Sequence, residues 1–239
     1  MVENPQVSRV LVVTAHPDDV DFGAAGSVAA WTDQGVDVSY CICTHGDAGG
    51  ADSGIPRDRI HVVRRKEQTA AASVVGVRDL HWLGFPDGAL EYNLELRKAI
   101  SRVIRIVRPD RVVCQSPDRM LSRIYASHPD HLAAGAAAIA AVYPDSRNAW
   151  AFPDLLDEEG LEPHTVPELW IMAREQPNVF VDITDAVERK IEALLCHESQ
   201  MSDPGRMPDM IREWARATAQ RAEFGPDRFA EGFERVDTA

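Results

Sequence analysis

Two short runs in this 239-residue sequence carry residue types that can hold a metal ion and move a proton. The first is Ala15-His16-Pro17-Asp18-Asp19 and the second is His128-Pro129-Asp130-His131. Catalytic zinc is commonly held by three side chains drawn from His and Asp/Glu, with a further position left for water. His16, Asp19 and His131 supply such a set, and one turn can present His16 and Asp19 on the same side. Asp18 and His128 are then left beside the metal rather than on it. A carboxylate there can take a proton from water, and an imidazole can stabilise an oxyanion or protonate a leaving amine. The expected chemistry is hydrolysis by water activated on one zinc per chain, with Fe(II) or another divalent ion able to fill a His/Asp site. Taken singly, each run also reads as an ordinary turn. Asp18 or Asp19 can cap a helix, and His128 or His131 can do the same or lie on the surface.

These residues need a frame to bring them together, and the flanking pattern supplies one. Val10 to Val13 is continuously apolar, as in a strand buried on both faces of a parallel sheet. A polar turn follows, then a small-residue helix from Ala24 to Gln34 ended by Gly35, and a second strand from Val36 to Cys43. The Gly/Asp-rich loop 44–56 leads to a helix over 57–75 stopped by Gly76, a strand at 79–83 and an amphipathic helix over 92–107. A strand at 111–114, a polar loop at 116–127 and an Ala-rich helix at 132–142 come next. Beyond Tyr143 the alternation loosens into an excursion over 144–167, strands at 169–172 and 179–181, and helices at 186–197 and 208–224. The order predicts a doubly wound α/β fold, a mostly parallel sheet with helices on both faces, in a single domain. Both motifs follow strands, and ligands in such sheets collect at strand carboxyl ends near a switch in strand order. The spacing therefore places the two runs in one crevice, although more than a hundred residues separate them. Residues 1–201 form the expected domain, and 202–239 a C-terminal helical extension packed on it or in an oligomer interface.

A formal net charge of −13 with a sequence pI near 5.0 argues against a nucleic-acid partner, since phosphate contacts need clustered Lys/Arg. The richest basic stretch, Arg64-Arg65-Lys66, is followed at once by Glu67. Cys41, Cys43, Cys114 and Cys196 form no C-x-x-C pair and read as reduced, mostly buried thiols. Met1 to Pro5 has neither a basic nor an apolar leader region, and no run is long enough to span a membrane. A cytoplasmic enzyme acting on a small molecule fits these features.

At the level of motifs the sequence resembles the LmbE-like, or PIG-L-type, deacetylases. The first run with Phe22 to Gly26 behind it is similar to the opening signature of that family. Thr44 to Gly49, Arg64 with Glu67, Gly84-Phe85-Pro86-Asp87-Gly88, His128 to His131, and Val181 to Thr184 with Lys190 and His197 to Gln200 follow in the family's order. The resemblance covers about residues 8 to 201. It implies a Rossmann-like fold and a zinc-dependent removal of an N-acyl group from an amino-sugar-containing molecule. It implies His16, Asp19 and His131 as zinc ligands, Asp18 as general base, and His128 as electrostatic or acid partner. Arg64 and Asp87 become substrate contacts by the same resemblance, against the plainer readings of a surface helix ion pair and a turn aspartate. Two positions depart from the family: Val20 stands where Glu is frequent, and Ala126 where some relatives carry Tyr, with Tyr125 one residue earlier. His197 reads as a residue behind the site or a helix-terminal group, and His45 as a possible pocket residue.

Three other readings remain open at this point. The same site can cleave the amide of a thiol conjugate. A nucleotide-binding module is suggested by the strand order, but the first turn holds His-Pro-Asp-Asp instead of G-x-G-x-x-G, and its carboxylates repel pyrophosphate. A catalytically dead binding protein is opposed by the completeness of the metal and acid/base set. A homo-oligomer is compatible with all of these.

Overall fold

The structure is a computed structural model and describes residues 7–50 and 54–239. The leader reading of residues 1–5 and part of the 44–56 loop lie outside the described residues. In chain order the elements are β1 (Arg9–Thr14), α1 (Asp19–Gly23), α2 (Ala25–Asp33), β2 (Asp37–Thr44), α3 (Arg57–Val74), β3 (Asp79–Phe85), α4 (Leu94–Val107) and β4 (Arg111–Cys114). They continue with α5 (Pro129–Ala140), α6 (Pro153–Asp157), β5 (Glu168–Ile171), β6 (Val179–Asp182), α7 (Val187–Leu195), α8 (Met207–Arg221) and β7 (Ala230–Asp237).

The strands form one sheet in the order β3-β2-β1-β4-β5-β7-β6. Strands β1 to β5 pair in parallel, and β7 is antiparallel to both β5 and β6. This is the doubly wound α/β architecture, with an antiparallel strand near one edge. The alternation of β1 shows how it is covered. Val10 and Val12 point into a core shared with α2 and α7, whereas Leu11 and Val13 point into a second core shared with α4 and α5. Neither face of β1 meets water, so its near-continuous apolar run follows from burial on both sides. The strand order reverses between β1 and β4, and the two motif runs leave from the carboxyl ends of these two strands. A hydrogen bond from Ala15 N to Gln115 Oε1 (2.8 Å) ties the two exits together.

The C-terminal region departs from the sequence-based expectation. Residues 207–221 are helical, but 230–237 form β7 inside the sheet, not part of a helical extension. Charged positions hide this strand in the sequence, and the fold pairs them. Glu231 meets Lys190, Glu234 meets Arg174 and Arg235 meets Glu168. Glu231 does more than neutralise a lysine. Its carboxylate accepts from the N–H groups of Gly26 (3.1 Å) and Ser27 (2.8 Å), in the first turn of α2. Those donors have no partner within the helix, and the helix dipole favours an anion there. Glu231→Ala leaves Lys190, itself buried, without its counter-charge. We expect a loss of about 3–5 kcal/mol in urea unfolding; a loss under about 1 kcal/mol shows that the pair is not a structural lock.

Two smaller differences bear on the site. The Ala-rich helix begins at Pro129, not Leu132, because His128 caps it and proline suits the first helical position. The loop expected at 116–127 ends in a short 3-10 segment, Leu121–Ser127, and the 144–167 excursion contains α6.

Candidate active site

The residues of the two runs converge on a cleft of about 610 Å³ at the carboxyl ends of β1 and β4. Asp19 stands between two imidazoles. Its Oδ1 lies 3.0 Å from His131 Nε2, and its Oδ2 lies 3.4 Å from His16 Nδ1. Each ring is oriented from its other nitrogen. His16 Nε2 faces Asp130 Oδ2 at 3.1 Å and Asp87 Oδ1 at 3.0 Å. His131 Nδ1 faces the Ala126 carbonyl at 3.5 Å. Metal-binding imidazoles are characteristically held in this way by a carboxylate or carbonyl on the far nitrogen. Donor atoms of His16, His128 and His131 lie within 4.8 Å of one another, as do those of His16, Asp87 and Asp130. In the second grouping Asp130 is already engaged, accepting from Gly88 N (2.8 Å) and Leu90 N (3.3 Å). That set reads as support for His16. His16 belongs to both groupings, and Asp19 contacts His16 and His131, so the residues gathered here can hold a divalent cation.

Asp18 occupies an unusual backbone position. Its φ of 84° lies in the left-handed region, which is costly for a residue with a Cβ. A buried chain holds it there. Asp18 N donates to Gln68 Oε1 (2.7 Å), and Gln68 Nε2 donates to Asp21 Oδ2 (2.9 Å). His197 Nε2 meets the same Asp21 oxygen at 2.8 Å. Asp21, Gln68 and His197 have no exposed surface, so each depends on the others for satisfaction. From the side-chain end, Arg64 Nη2 donates to Asp18 Oδ2 (2.9 Å) and Pro17 O (2.7 Å), and Nη1 donates to Gly46 O (2.9 Å). Gly46 has a φ of +65°, and a Cβ there would sit 2.2 Å from the guanidinium. Arg64 is thus buried under the site, which corrects the surface ion-pair reading. It lines the cleft, but these donors are committed to Asp18 and the backbone.

Charge follows from this packing. Burial raises the Asp18 carboxyl to about 6, with Arg64 pulling it down and Asp19 pushing it up. Burial works against ionised Asp19 too, but the His131 and His16 imidazoles outweigh it and hold that carboxyl well below the usual range. Burial lowers His16, yet the Asp19 and Asp87 carboxylates prevail and raise it to about 11. His131 is likewise lowered by burial and raised overall by Asp19. His128 is shifted down, by burial and then by His16. Its Nδ1 accepts from Asp130 N (3.2 Å) as the cap of α5. The neutral ring therefore carries its proton on Nε2.

A prediction follows for the metal-free protein. His16 is protonated at neutral pH, and a cation must displace that proton. Apparent zinc affinity should therefore rise with pH between 6 and 8, by about tenfold per unit for each proton released. Calorimetry in buffers of different ionisation enthalpy measures the release directly. Binding without proton release contradicts the protonated state of His16.

The structure brings His16, Asp18, Asp19, His128 and His131 together, with Asp87 and Arg64 in the same lining. His45 is not among the lining residues and packs near Trp82 and His61. Sequence reasoning gave no role to Asp130, Gln68 or Gln115. Asp130 was visible inside the second motif, and Gln68 lies one helical turn after Arg64. It also gave none to Met210 and Trp214 on α8, which line the cleft and have no motif around them.

A family model described as GlcNAc-PI de-N-acetylase, PIG-L, matches residues 11–142. The diacetylchitobiose deacetylase of Thermococcus kodakarensis is 35% identical over 231 residues, covering 96% of this chain and 84% of the relative. The chain belongs to the PIG-L family. A probable N-acetyl-α-D-glucosaminyl L-malate deacetylase 2 of Bacillus anthracis is 29% identical over 227 residues, 90% of this chain and 91% of that one. The solved N,N'-diacetylchitobiose deacetylase of Pyrococcus horikoshii superposes with a TM-score of 0.89 at 30% identity, covering 100% of this chain and 88% of that chain. Deacetylases of the PIG-L family are metal-dependent, in keeping with the His/Asp groupings here. The matched PIG-L segment runs from β1 to just past α5 and contains both motif runs, Arg64 and Asp87, but not α8. Among the described residues, no helix is long and apolar enough to cross a membrane.

Proposed function

We propose that this chain is a zinc-dependent hydrolase that removes the N-acetyl group from a small amino-sugar derivative. The observation that carries the reading is the convergence of Asp18 and His128 with His16, Asp19 and His131 in the lining of one cleft. The naming of its relatives as deacetylases of N-acetylglucosamine-bearing compounds supports it.

His16, Asp19 and His131 would hold the metal, which when bound supplies Lewis-acid polarisation and a water acidic enough to ionise near neutrality. Asp18, with its carboxyl raised to about 6, is ionised at neutral pH and still basic enough to accept a proton from water. Arg64 fixes that carboxylate and acts through it. His128 presents its Nε2 proton to the cleft, where it can donate to the amide oxygen as negative charge develops. Asp87, held by Ala48 N and His16, retains acceptor capacity for a sugar hydroxyl. The free thiols Cys41, Cys43, Cys114 and Cys196 suit a reducing compartment such as the cytoplasm.

The test is amine release by the zinc-loaded protein from N-acetylglucosamine and its glycosides, alongside an amide of a thiol conjugate. Acetate and free amine formed in equal amounts from the sugars support the proposal. Cleavage of the thiol conjugate alone moves the substrate class. Bound zinc with no amine from any N-acetyl sugar sinks the reading.

A further inference from the structure

One short segment outside the cleft touches three separate parts of the reaction centre. It consists of His197 and the 3-10 turn that follows it, Glu198–Gln200, just beyond α7. Its first contact lies under the turn that bears Asp18 and Asp19. His197 is fully buried, and its Nε2 donates to Asp21 Oδ2 at 2.8 Å. The second contact is on α3, where the Ser199 N–H and hydroxyl both donate to the Glu67 carboxylate, at 2.8 and 2.7 Å. Glu67 shares a face of α3 with Arg64 one turn before it and adjoins Gln68, so the helix that carries both anchors of Asp18 is held here. The third contact is on the loop after β2. A Cβ on Gly49 or Gly50 would lie 2.8 Å from the Gln200 amide, so that loop closes directly on Gln200.

The His197 contact has the largest consequence. Asp18 keeps a left-handed backbone, and such a conformation persists only where its surroundings over-determine it. Its N–H bond requires the Gln68 amide to turn its oxygen toward Asp18. The terminal torsion of a glutamine is broad, so the amide does not fix its own direction. Asp21 fixes it, because a carboxylate can accept only from the NH2 side. Asp21 in turn depends on a second donor. Its Oδ1 has no hydrogen-bond partner among the described residues, and Gln68 and His197 both donate to Oδ2. Withdrawing the His197 donor leaves a fully buried carboxylate with Gln68 alone, which favours movement of Asp21 and release of the amide.

We propose that His197 is a positioning residue for the proton acceptor, holding Asp18 in place through Asp21 and Gln68. His197 lies beyond residues 11–142, so the segment that the family model matches is braced from outside. The proposal rests on the deacetylase reading for what Asp18 does, but not for how it is held.

The experiment compares His197→Gln with His197→Asn in the full chain, in wild-type and Asp18→Asn backgrounds. Both replacements are neutral and polar. The glutamine amide reaches the place of Nε2, whereas the asparagine amide falls short of Asp21. The first readout is hydrogen exchange at the Asp18 amide by NMR, without substrate. Protection should be kept in His197→Gln and fall by about tenfold or more in His197→Asn, while the β1 amides stay protected. The second readout is amine release from N-acetylglucosamine by the zinc-loaded variants. His197→Asn should lose about 10–100-fold in kcat with metal content and KM little changed, and His197→Gln should recover most of that loss. In the Asp18→Asn background His197→Asn should cost nothing further, since residues that act as a unit are not additive. Should His197→Asn not fold, His197→Met fills a similar volume without a donor and is read in its place. Unchanged Asp18 exchange in the donor-deficient variant, or an equal kcat loss in both backgrounds, overturns the proposal. No amine from wild type removes the deacetylase reading instead, and Asp18 exchange still decides whether His197 holds that residue.

Discussion

His131→Ala is expected to lose its metal and its activity together. The imidazole is one of two that flank Asp19, and the variant leaves that carboxylate with His16 alone on the metal side. A two-donor site holds zinc weakly, so after dialysis the variant should retain well under one ion per chain. The fold should survive, because His131 lies at the cleft and outside both apolar cores. Asp130→Asn makes the informative comparison. Asp130 orients His16 from its Nε2 side, and removing such a support typically lowers metal affinity by about 10–100-fold. The order expected in metal analysis is wild type, then Asp130→Asn, then His131→Ala. Unchanged metal content in His131→Ala excludes this residue as a ligand and shifts attention to the grouping of His16 with Asp87 and Asp130.

Much of this arrangement is legible in the sequence, for a definable reason. The doubly wound order requires strands buried on both faces, and runs such as Val10 to Val13 show that burial directly. Gly35 and Gly76 mark the ends of helices by adopting positive φ, at 82° and 88°. The crevice at the β1/β4 reversal then follows from topology, and with it the meeting of two distant motifs. What stayed hidden depends on pairing across long sequence separations. Strand β7 carries Glu231, Glu234 and Arg235, and its charges make sense only beside Lys190, Arg174 and Glu168. Arg64 reads as a surface charge until Gly46 and Pro17 are seen to cap it. Trp214 reads as one apolar position of an amphipathic helix, and only the cleft gives its exposure a meaning.

The second large effect concerns the proton. Asp18→Asn should keep its zinc, because Asp18 is not one of the three proposed metal donors, yet kcat should fall by about 10²–10⁴-fold. Asparagine preserves the shape and can still meet Arg64, so the loss reports basicity more than packing. The pH dependence has a defined sign. The base must be ionised, so activity falls as pH drops through the Asp18 pKa. That value is about 6 without metal, and a bound cation nearby moves it lower. The acid limb of wild type should therefore lie at or below about pH 6. Arg64 pulls the Asp18 pKa down, so Arg64→Leu should move the limb upward as well as lowering kcat. Gln68→Leu tests the other anchor. It removes the acceptor of Asp18 N and the donor to Asp21, freeing a left-handed residue to relax. It should reduce kcat while metal content and KM change little. If Asp18→Asn retains both zinc and full turnover, the proton is taken by another group, and the strained backbone at position 18 serves only to turn the chain from β1 into α1.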